Sequence, residues 1–554
     1  MFTRTTHLFL LPLLCSTVST GYSQKLKKAD KAIVDNLQAH ISYLASDNLA
    51  GRRAGTDGEK MAGDYISNSF KQNGLLPKGE NGTWLQAFEI NDGKQINRST
   101  LFIINGHDLK LNEDFFPLAF SPNKSLEAAV SAALPESGVP WFTDLKDLLE
   151  SNKDNPHFDI EESIKAKAKK VADKGATALI VYNTSSINDG LKFNGKDRAD
   201  LTKVPVIYLT VKAKKTYLKD ESATLDIKIK TDIGEQVRTG HNVVGYLDNG
   251  AAQTVVLGAH YDHLGYGEDG NSLFRTGEKA IHNGADDNAS GTAALLELAR
   301  LLKQSKVKKY NYLFVAFSAE ELGLNGSKFF TEHPTIDLTA VNYMINMDMV
   351  GRLNDSSKVL TIGGYGTSPQ WASLLTTAAG KKSYFNIKYD SSGSGPSDHT
   401  SFYRKDIPVL FFFTGQHADY HRPSDDFDKI NYTGELEVVK YIQSIVETSA
   451  KGDKLAFTKT RETQSGSSTR FSVTMGIMPD YTFNGAGIRV DGVTNDRPAQ
   501  KAGLKTGDII VQLGEHNIAS MDAYMQALSK FKKGDTTTVK YKRGSDTLAT
   551  QVQF

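Results

Sequence analysis

Residues from about 240 to 450 predict an α/β fold with a mainly parallel central sheet covered by helices on both faces. Three observations carry that expectation. The runs "TVVLGAH", "YNYLFVAFS", "VNYMINMDMV", "KVLTIGG" and "IPVLFFFT" are almost continuously apolar, as strands buried on both faces are. Helical patterns over 289–303, 369–379 and 433–449 alternate with them. In the first, Leu295, Leu296, Leu298, Ala299 and Leu302 recur at helical spacing, which marks an amphipathic face.

Around this unit the chain divides further, since 554 residues exceed one compact domain. Residues 24–105 and 236–452 are expected to build the α/β domain. Residues 106–235 mix short strands ("EAAVSAAL", "ATALIVYN", "VPVIYLTV") with the charged helix "IEESIKAKAKKVADKGA" and read as an α+β insert. The polar stretch 453–468 is expected as a linker, and 469–554 as a small β-rich unit.

Residues 1–23 read as a signal peptide: Arg4 supplies a positive charge, "LFLLPLLCSTV" an apolar core and "STGYSQ" small residues for cleavage. The protein is therefore expected to be exported, periplasmic or secreted, with no transmembrane segment in the mature chain. The one cysteine, Cys15, lies inside this segment behind a bulky Leu14, which disfavours lipid attachment and leaves the mature chain without disulfides. With 65 basic and 64 acidic side chains, no net field favours nucleic acid or an anionic membrane.

In a sheet of this kind, sites form at the carboxyl ends of the strands. "TVVLGAH" ends in His260, followed by Tyr261, Asp262 and His263. "YLFVAFSAEELG" ends in Glu320 and Glu321, and "VNYMINMD" in Asp348. The loop after "IPVLFFFTG" carries Asp419, Tyr420 and His421. Asp286, Asp287 and Asn288 stand together at the mouth of the 289–303 helix, where one capping side chain would suffice.

A pair of zinc ions asks for one shared carboxylate, plus about one histidine and one carboxylate for each metal. Asp287 as the bridge, His260 with Asp348, and His421 with Glu321 supply that set. Asp286 and Asn288 are left to shape and cap the turn. Glu320, next to a ligand, is placed to act as general base on a water shared by the metals. Asp262, two residues beyond His260 on an extended strand end, is placed to orient that imidazole.

At these residues the chain resembles the co-catalytic di-zinc aminopeptidases, the family of bacterial leucine aminopeptidase and of aminopeptidases S and Y. The matching stretches are "GAHYDHLG", "NGADDNASGTAALLELA", "AFSAEELGLNGS", "INMDMVGR", "GPSDHTSF" and "DYHRPSDD", with "YLASDNLAGRRAGTDG" and "NGLLP" as the lead-in. The resemblance implies zinc, two ions per chain, held by His260, Asp287, Glu321, Asp348 and His421. It implies Glu320 as general acid/base, Asp262 as the carboxylate behind His260, and Tyr420 as a group that steadies the oxyanion. Asp398 and His399 would support the pocket, and the Asp287–Asn288 peptide bond would be cis. The activity implied is hydrolysis of the N-terminal peptide bond of peptides with a free N-terminus.

The insert resembles a protease-associated domain through "VADKGATALIVYN" and "VPVIYLT". The C-terminal unit resembles a PDZ domain of the bacterial protease type through "DRPAQKAGLKTGDIIVQLGEHNI". Its "VTMGIMPD" stretch would receive a peptide C-terminus on the backbone of Met475, Gly476 and Ile477. Two alternatives stand beside this reading. A di-zinc carboxypeptidase of the folate-hydrolase type would use Arg275, Arg352 or Arg404 to grip a substrate carboxylate, and a non-catalytic receptor-like protein would only bind. A single-zinc glutaminyl cyclase is disfavoured by the full two-metal set.

Overall fold

The computed structural model describes residues 26–460 except 154, 156–157, 198–199, 275, 277 and 382, and residues 473–554 except 480–486, 494–496 and 519–520. The expected signal segment with Cys15, Arg275 and the second half of the expected linker, 461–468, lie outside the described residues.

The central strands are β1 (Ile233–Leu247), β2 (Thr254–His260), β3 (Asn311–Phe317), β4 (Val341–Met347), β5 (Val359–Gly363), β6 (Asn386–Tyr389) and β7 (Val409–Phe413). Their spatial order is β1-β3-β2-β4-β7-β5-β6, and Leu76–Pro77 and Leu85–Ile96 pair with β1. The four middle strands β3, β2, β4 and β7 are mutually parallel. At the flanks β1 runs antiparallel to β3 and β5 antiparallel to β7, while β6 is parallel to β5. The sheet is thus mixed, with the expected parallel order in its centre. Every residue of β2, β3 and β4 is buried, and antiparallel pairing enters only with the flanking strands β1 and β5, where strands need not be covered on both sides.

Alternation along β2 shows both faces at work: Val255 and Leu257 enter one apolar cluster and Val256 another. The first cluster is closed by helices α1 (Lys28–Leu44), α2 (Asp57–Gln72), α3 (Gly291–Gln304), α4 (Trp371–Ala379) and α5 (Tyr432–Ser449). Phe330, Phe402 and Phe457 pack in the second. The helices expected over 289–303, 369–379 and 433–449 correspond to α3, α4 and α5.

Residues 101–231 form two four-stranded sheets that share one apolar core, in which Phe102 and Ile227 of the first sheet join Ile180 and Leu209 of the second. The other face of the second sheet, with Leu179 and Val206, packs in a further core with Ile164 and Val171. The strand Leu101–Ile104 pairs with Thr224–Thr231, so the insert's pairing begins before residue 106. Its helix, Ile160–Asp173, starts at Asp159, whose side chain accepts the amide of Glu162. The start of the expected linker packs on the α/β unit: Leu455 is buried in the main cluster, and the amide of Thr460 donates to Tyr403 Oη at 2.9 Å. Residues 473–554 surround their own core of Met475, Val490, Leu504, Ile510, Leu513 and Val539.

Candidate metal centre

The parallel order of the middle strands brings their carboxyl ends to one edge, and each chemical group sits there for a local reason. His260 is the last residue of β2, and Asp348 follows β4 directly. Glu320 and Glu321 lie three and four residues beyond the end of β3. Asp287 stands in the turn that opens α3, and the Asp287–Asn288 peptide bond is cis.

That turn is held from several sides. Asp425 accepts the amide of Asp286 at 3.0 Å and that of Asp287 at 3.0 Å. Asp286 Oδ1 takes the amide of Gly351 at 2.7 Å, and its Oδ2 faces His417 Nε2 at 3.1 Å. Asn288 Oδ1 accepts the amides of Gly291 at 2.9 Å and Met349 at 3.1 Å. The neighbours of Asp287 therefore tie the helix start to the end of β4, and Asp287 itself is left facing the site. Arg52, fully buried, donates to the carbonyls of Tyr261 at 2.8 Å and Gly284 at 3.0 Å. It also reaches those of Asn283 and Leu44, so one cation clamps the end of β2 to the Asp287 turn.

The ligand-type atoms converge on Asp287. His260 Nε2 lies 3.4 Å from Asp287 Oδ1 and 3.4 Å from Asp348 Oδ1. His421 Nε2 lies 3.3 Å from Asp287 Oδ2 and 3.2 Å from Glu321 Oε2. Among the described residues, the triads capable of holding a cation by proximity are His260–Asp287–Asp348 and His263–Asp287–Glu321, and Asp287 belongs to both. Asp287 Oδ2 is buried with no hydrogen-bond partner. Such an orphaned acceptor among imidazoles and carboxylates fits zinc, which takes nitrogen and carboxylate oxygen together. Burial would raise the Asp287 carboxyl, but the His263, His260 and His421 imidazoles outweigh it and hold it well below the usual range.

His263 is the residue that sequence reasoning left without a role. Its Nδ1 meets Glu321 Oε1 at 2.8 Å. Because a carboxylate only accepts, Nδ1 carries the proton, and Nε2 is buried without a partner. Gly284 makes room for the ring, since a Cβ there would approach His263 Cδ2 to 2.4 Å. The signal was present in "HYDH", but two imidazoles within four residues look equally eligible until the fold points one at the carboxylate's far oxygen. Ser397, Asn271 and Asp425 also act from behind the ligands. Ser397 donates to Asp348 Oδ2 at 2.7 Å, and the Asn271 carbonyl faces His421 Nδ1 at 2.9 Å.

Asp262 Oδ1 lies 3.7 Å from His260 Nδ1, which is ion-pair rather than hydrogen-bond range. The Asp262 backbone oxygen is nearer that nitrogen, at 3.2 Å. The carboxylate instead accepts the amide of Glu320 at 3.1 Å, linking the His260 loop to the Glu320 turn. Burial pushes the Glu320 carboxyl well above its ordinary value, only partly opposed by His260. Tyr420 stacks on His421 with centroids 3.9 Å apart. Both line one pocket with His260, Asp287, Glu320, Glu321 and Asp348, and His399 lies in its wall. Asp398 stands behind the wall with neither carboxylate oxygen hydrogen-bonded.

No lysine or arginine lines this pocket among the described residues. Arg352 pairs with Asp419 at 3.3 Å, and Arg404 is exposed. In the C-terminal unit Met475 is buried, Gly476 has φ +73° and Ile477 opens the strand Ile477–Pro479.

Residues 242–446 match the family model described as Peptidase family M28, and residues 455–554 that of the PDZ domain. Aminopeptidase YwaD of Bacillus subtilis is 27% identical over 435 residues, covering 75% of this chain and 84% of that protein. The probable lipoprotein aminopeptidase LpqL of Mycobacterium tuberculosis is 24% identical over 443 residues, covering 73% and 82%. Among solved structures, the aminopeptidase from Aneurinibacillus sp. strain AM-1 is 23% identical with a TM-score of 0.42, covering 77% of this chain and 95% of that one. The matched segments hold the whole cluster around Asp287: the chain carries a peptidase family M28 unit over residues 242–446, followed by a PDZ domain over residues 455–554.

Proposed function

We propose that the protein is an exported aminopeptidase that holds two zinc ions and hydrolyses the N-terminal peptide bond of peptides. The observation that carries this reading is the sharing of Asp287 between two candidate cation sites, with Glu320 in the same pocket. His260 and Asp348 would hold one zinc, His421 and Glu321 the other, and Asp287 both. When bound, such ions polarise a substrate carbonyl and make water acidic enough to attack near neutral pH.

The chain's own residues do the rest. Glu320 takes the proton from the attacking water, and the developing tetrahedral carbon gathers charge on its oxygen. Tyr420, stacked beside His421 in the same pocket, would donate its phenol to that oxygen. Glu320 then returns the proton to the leaving amine. A raised Glu320 pKa suits both halves of this cycle, because the group must take and release a proton near neutral pH. Asp262 fixes the Glu320 backbone while lying behind His260, and acts as a positioning residue. The pocket offers no basic side chain for a substrate carboxylate among the described residues, which weighs against the carboxypeptidase alternative.

The insert of residues 106–235, similar to a protease-associated domain, would border substrate entry. The PDZ domain would take a peptide C-terminus along the Ile477–Pro479 strand with the backbone of Met475, Gly476 and Ile477. No helix among the described residues is long and apolar enough to cross a membrane, and the apolar segment at 8–18 supports export.

The test compares aminoacyl-p-nitroanilides with their N-acetylated counterparts on zinc-loaded protein, beside Glu320→Gln. Cleavage of the free-amine substrates alone, lost in E320Q while two metals remain bound, is the expected result. Cleavage of neither set by protein with both metals bound overturns the proposal.

A further inference from the structure

The pocket beside the metal centre extends across the sheet, and its shape follows from strand register. On β5 and β7, Thr361 pairs with Phe413 and Gly363 with Phe411. Leu360, Ile362, Leu410 and Phe412 are buried in the main core. Alternation therefore turns Thr361, Gly363, Phe411 and Phe413 to the opposite face, where all four line the pocket. On the next strand, β6, Thr361 pairs with Lys388 and Ile362 with Tyr389. The amide of Asp390 continues that ladder by donating to the Ile362 carbonyl at 3.0 Å. Asp390 thus stands level with Gly363, on the face that Phe411 shares, and lines the same pocket.

Across this face run Phe411, Gly363 and Asp390, and the middle position has no side chain. A Cβ on Gly363 would lie 3.3 Å from that of Phe411, so any larger residue would fill the space between. Two strand spacings separate Phe411 from Asp390, about 10 Å. The trench is aromatic on one side, where His399 stacks on Phe411 with centroids 4.5 Å apart. At its other end lies a half-buried carboxylate, whose Oδ1 accepts the amide of Ser392 at 3.0 Å. Burial keeps His399 neutral by lowering its pKa to about 3, so the wall adds no positive charge. Burial also raises the Asp390 carboxyl above its ordinary range, the condition of a carboxylate that a bound cation would relieve.

The geometry points to Asp390 as the specificity-determining residue of the first side-chain pocket, with the Gly363 trench carrying an N-terminal lysine or arginine to it. This rests on the aminopeptidase reading above. The apolar stem of such a side chain covers Phe411 and the bare sheet face, and its charged head meets the carboxylate. An N-terminal aspartate or glutamate would meet like charge and be disfavoured.

The test uses the full chain loaded with zinc and the p-nitroanilides of lysine, arginine, norleucine and alanine. Norleucine keeps the stem of lysine without its charge. A hydrogen-bonded ion pair of this kind predicts a kcat/KM ratio of lysine to norleucine on the order of 10- to 100-fold. D390N, which retains an oxygen for the Ser392 amide, is expected to bring that ratio close to one. G363V is expected to lower the turnover of lysine, arginine and norleucine substrates relative to alanine. A wild-type ratio of one or less, or a ratio that survives in D390N, overturns the inference even if G363V fails to fold. Turnover of no free-amine substrate at all overturns the aminopeptidase reading instead, and this inference with it.

Discussion

Ser397→Ala removes the middle of a buried relay. The Asn346 amide donates to Ser397 Oγ at 2.8 Å, and that hydroxyl donates to Asp348 Oδ2 at 2.7 Å. The relay leaves Asp348 Oδ1 directed toward His260 at 3.4 Å. Two separate losses follow from the alanine. Asn346 is fully buried, so an amide hydrogen without an acceptor costs about 1–3 kcal/mol of stability. Asp348, freed to rotate, must be reoriented when a metal binds, and losing a partner behind a ligand typically costs 10- to 100-fold in metal affinity. That factor corresponds to about 1.4–2.7 kcal/mol, so the two effects are of similar size and need separate assays. Thermal unfolding of the metal-free chain reads the first. Chelator competition with stoichiometric zinc reads the second, and should show one of two binding steps weakened while the other is unchanged. Wild-type affinity at both steps in a protein with the expected loss of stability would refute the assignment of Asp348 as a ligand.

Three further expectations follow from neighbouring contacts. His263→Asn keeps a donor near the position of Nδ1 and should retain most zinc affinity at the Glu321 site, whereas His263→Leu should lose 10- to 100-fold there; Co²⁺ absorption spectra compare the two, and equal affinities would remove His263 from the centre. Asp269 is the half-buried hub of Arg53, Arg238 and Lys196; burial would raise its carboxyl, but these cations outweigh that and hold it at about 2. Its folded pKa is depressed, so its contribution is complete above the unfolded value near 4 and lost as pH falls toward 2. The size is about 2 kcal/mol, and Asp269→Asn should flatten urea-unfolding stability across that window. Finally, a peptide with a free C-terminus should bind residues 473–554 of the full chain by fluorescence anisotropy, and its C-terminal amide should not; equal binding of both would dismiss the carboxylate loop.

Much of the α/β unit was legible because its signals are local. Uninterrupted apolar runs identified β2, β3 and β4, and 3.6-residue periodicity placed α3 and α5. The chemical set was legible too, since His260, Glu321 and Asp348 each break an apolar run where a parallel strand must end. Antiparallel pairing at β1 and β5 was not, because an apolar run of one strand carries no mark of its neighbour's direction. The packing of Leu455 and Thr460 on the α/β unit was likewise hidden in a stretch whose composition is that of a linker.

The sequence by itself determined which residue types could form a metal centre and on which strand ends they stand. Tertiary structure decided which atoms meet. It turned Asp287 inward by fastening Asp286 and Asn288 to Gly351 and Met349, gave His263 to the outer oxygen of Glu321, and linked Asp262 to the Glu320 backbone. It also laid Gly363 between Phe411 and Asp390, residues 48 and 27 positions away in the chain. Those choices depend on strand order and register, which are set by the packing of whole faces and cannot be read from any one segment.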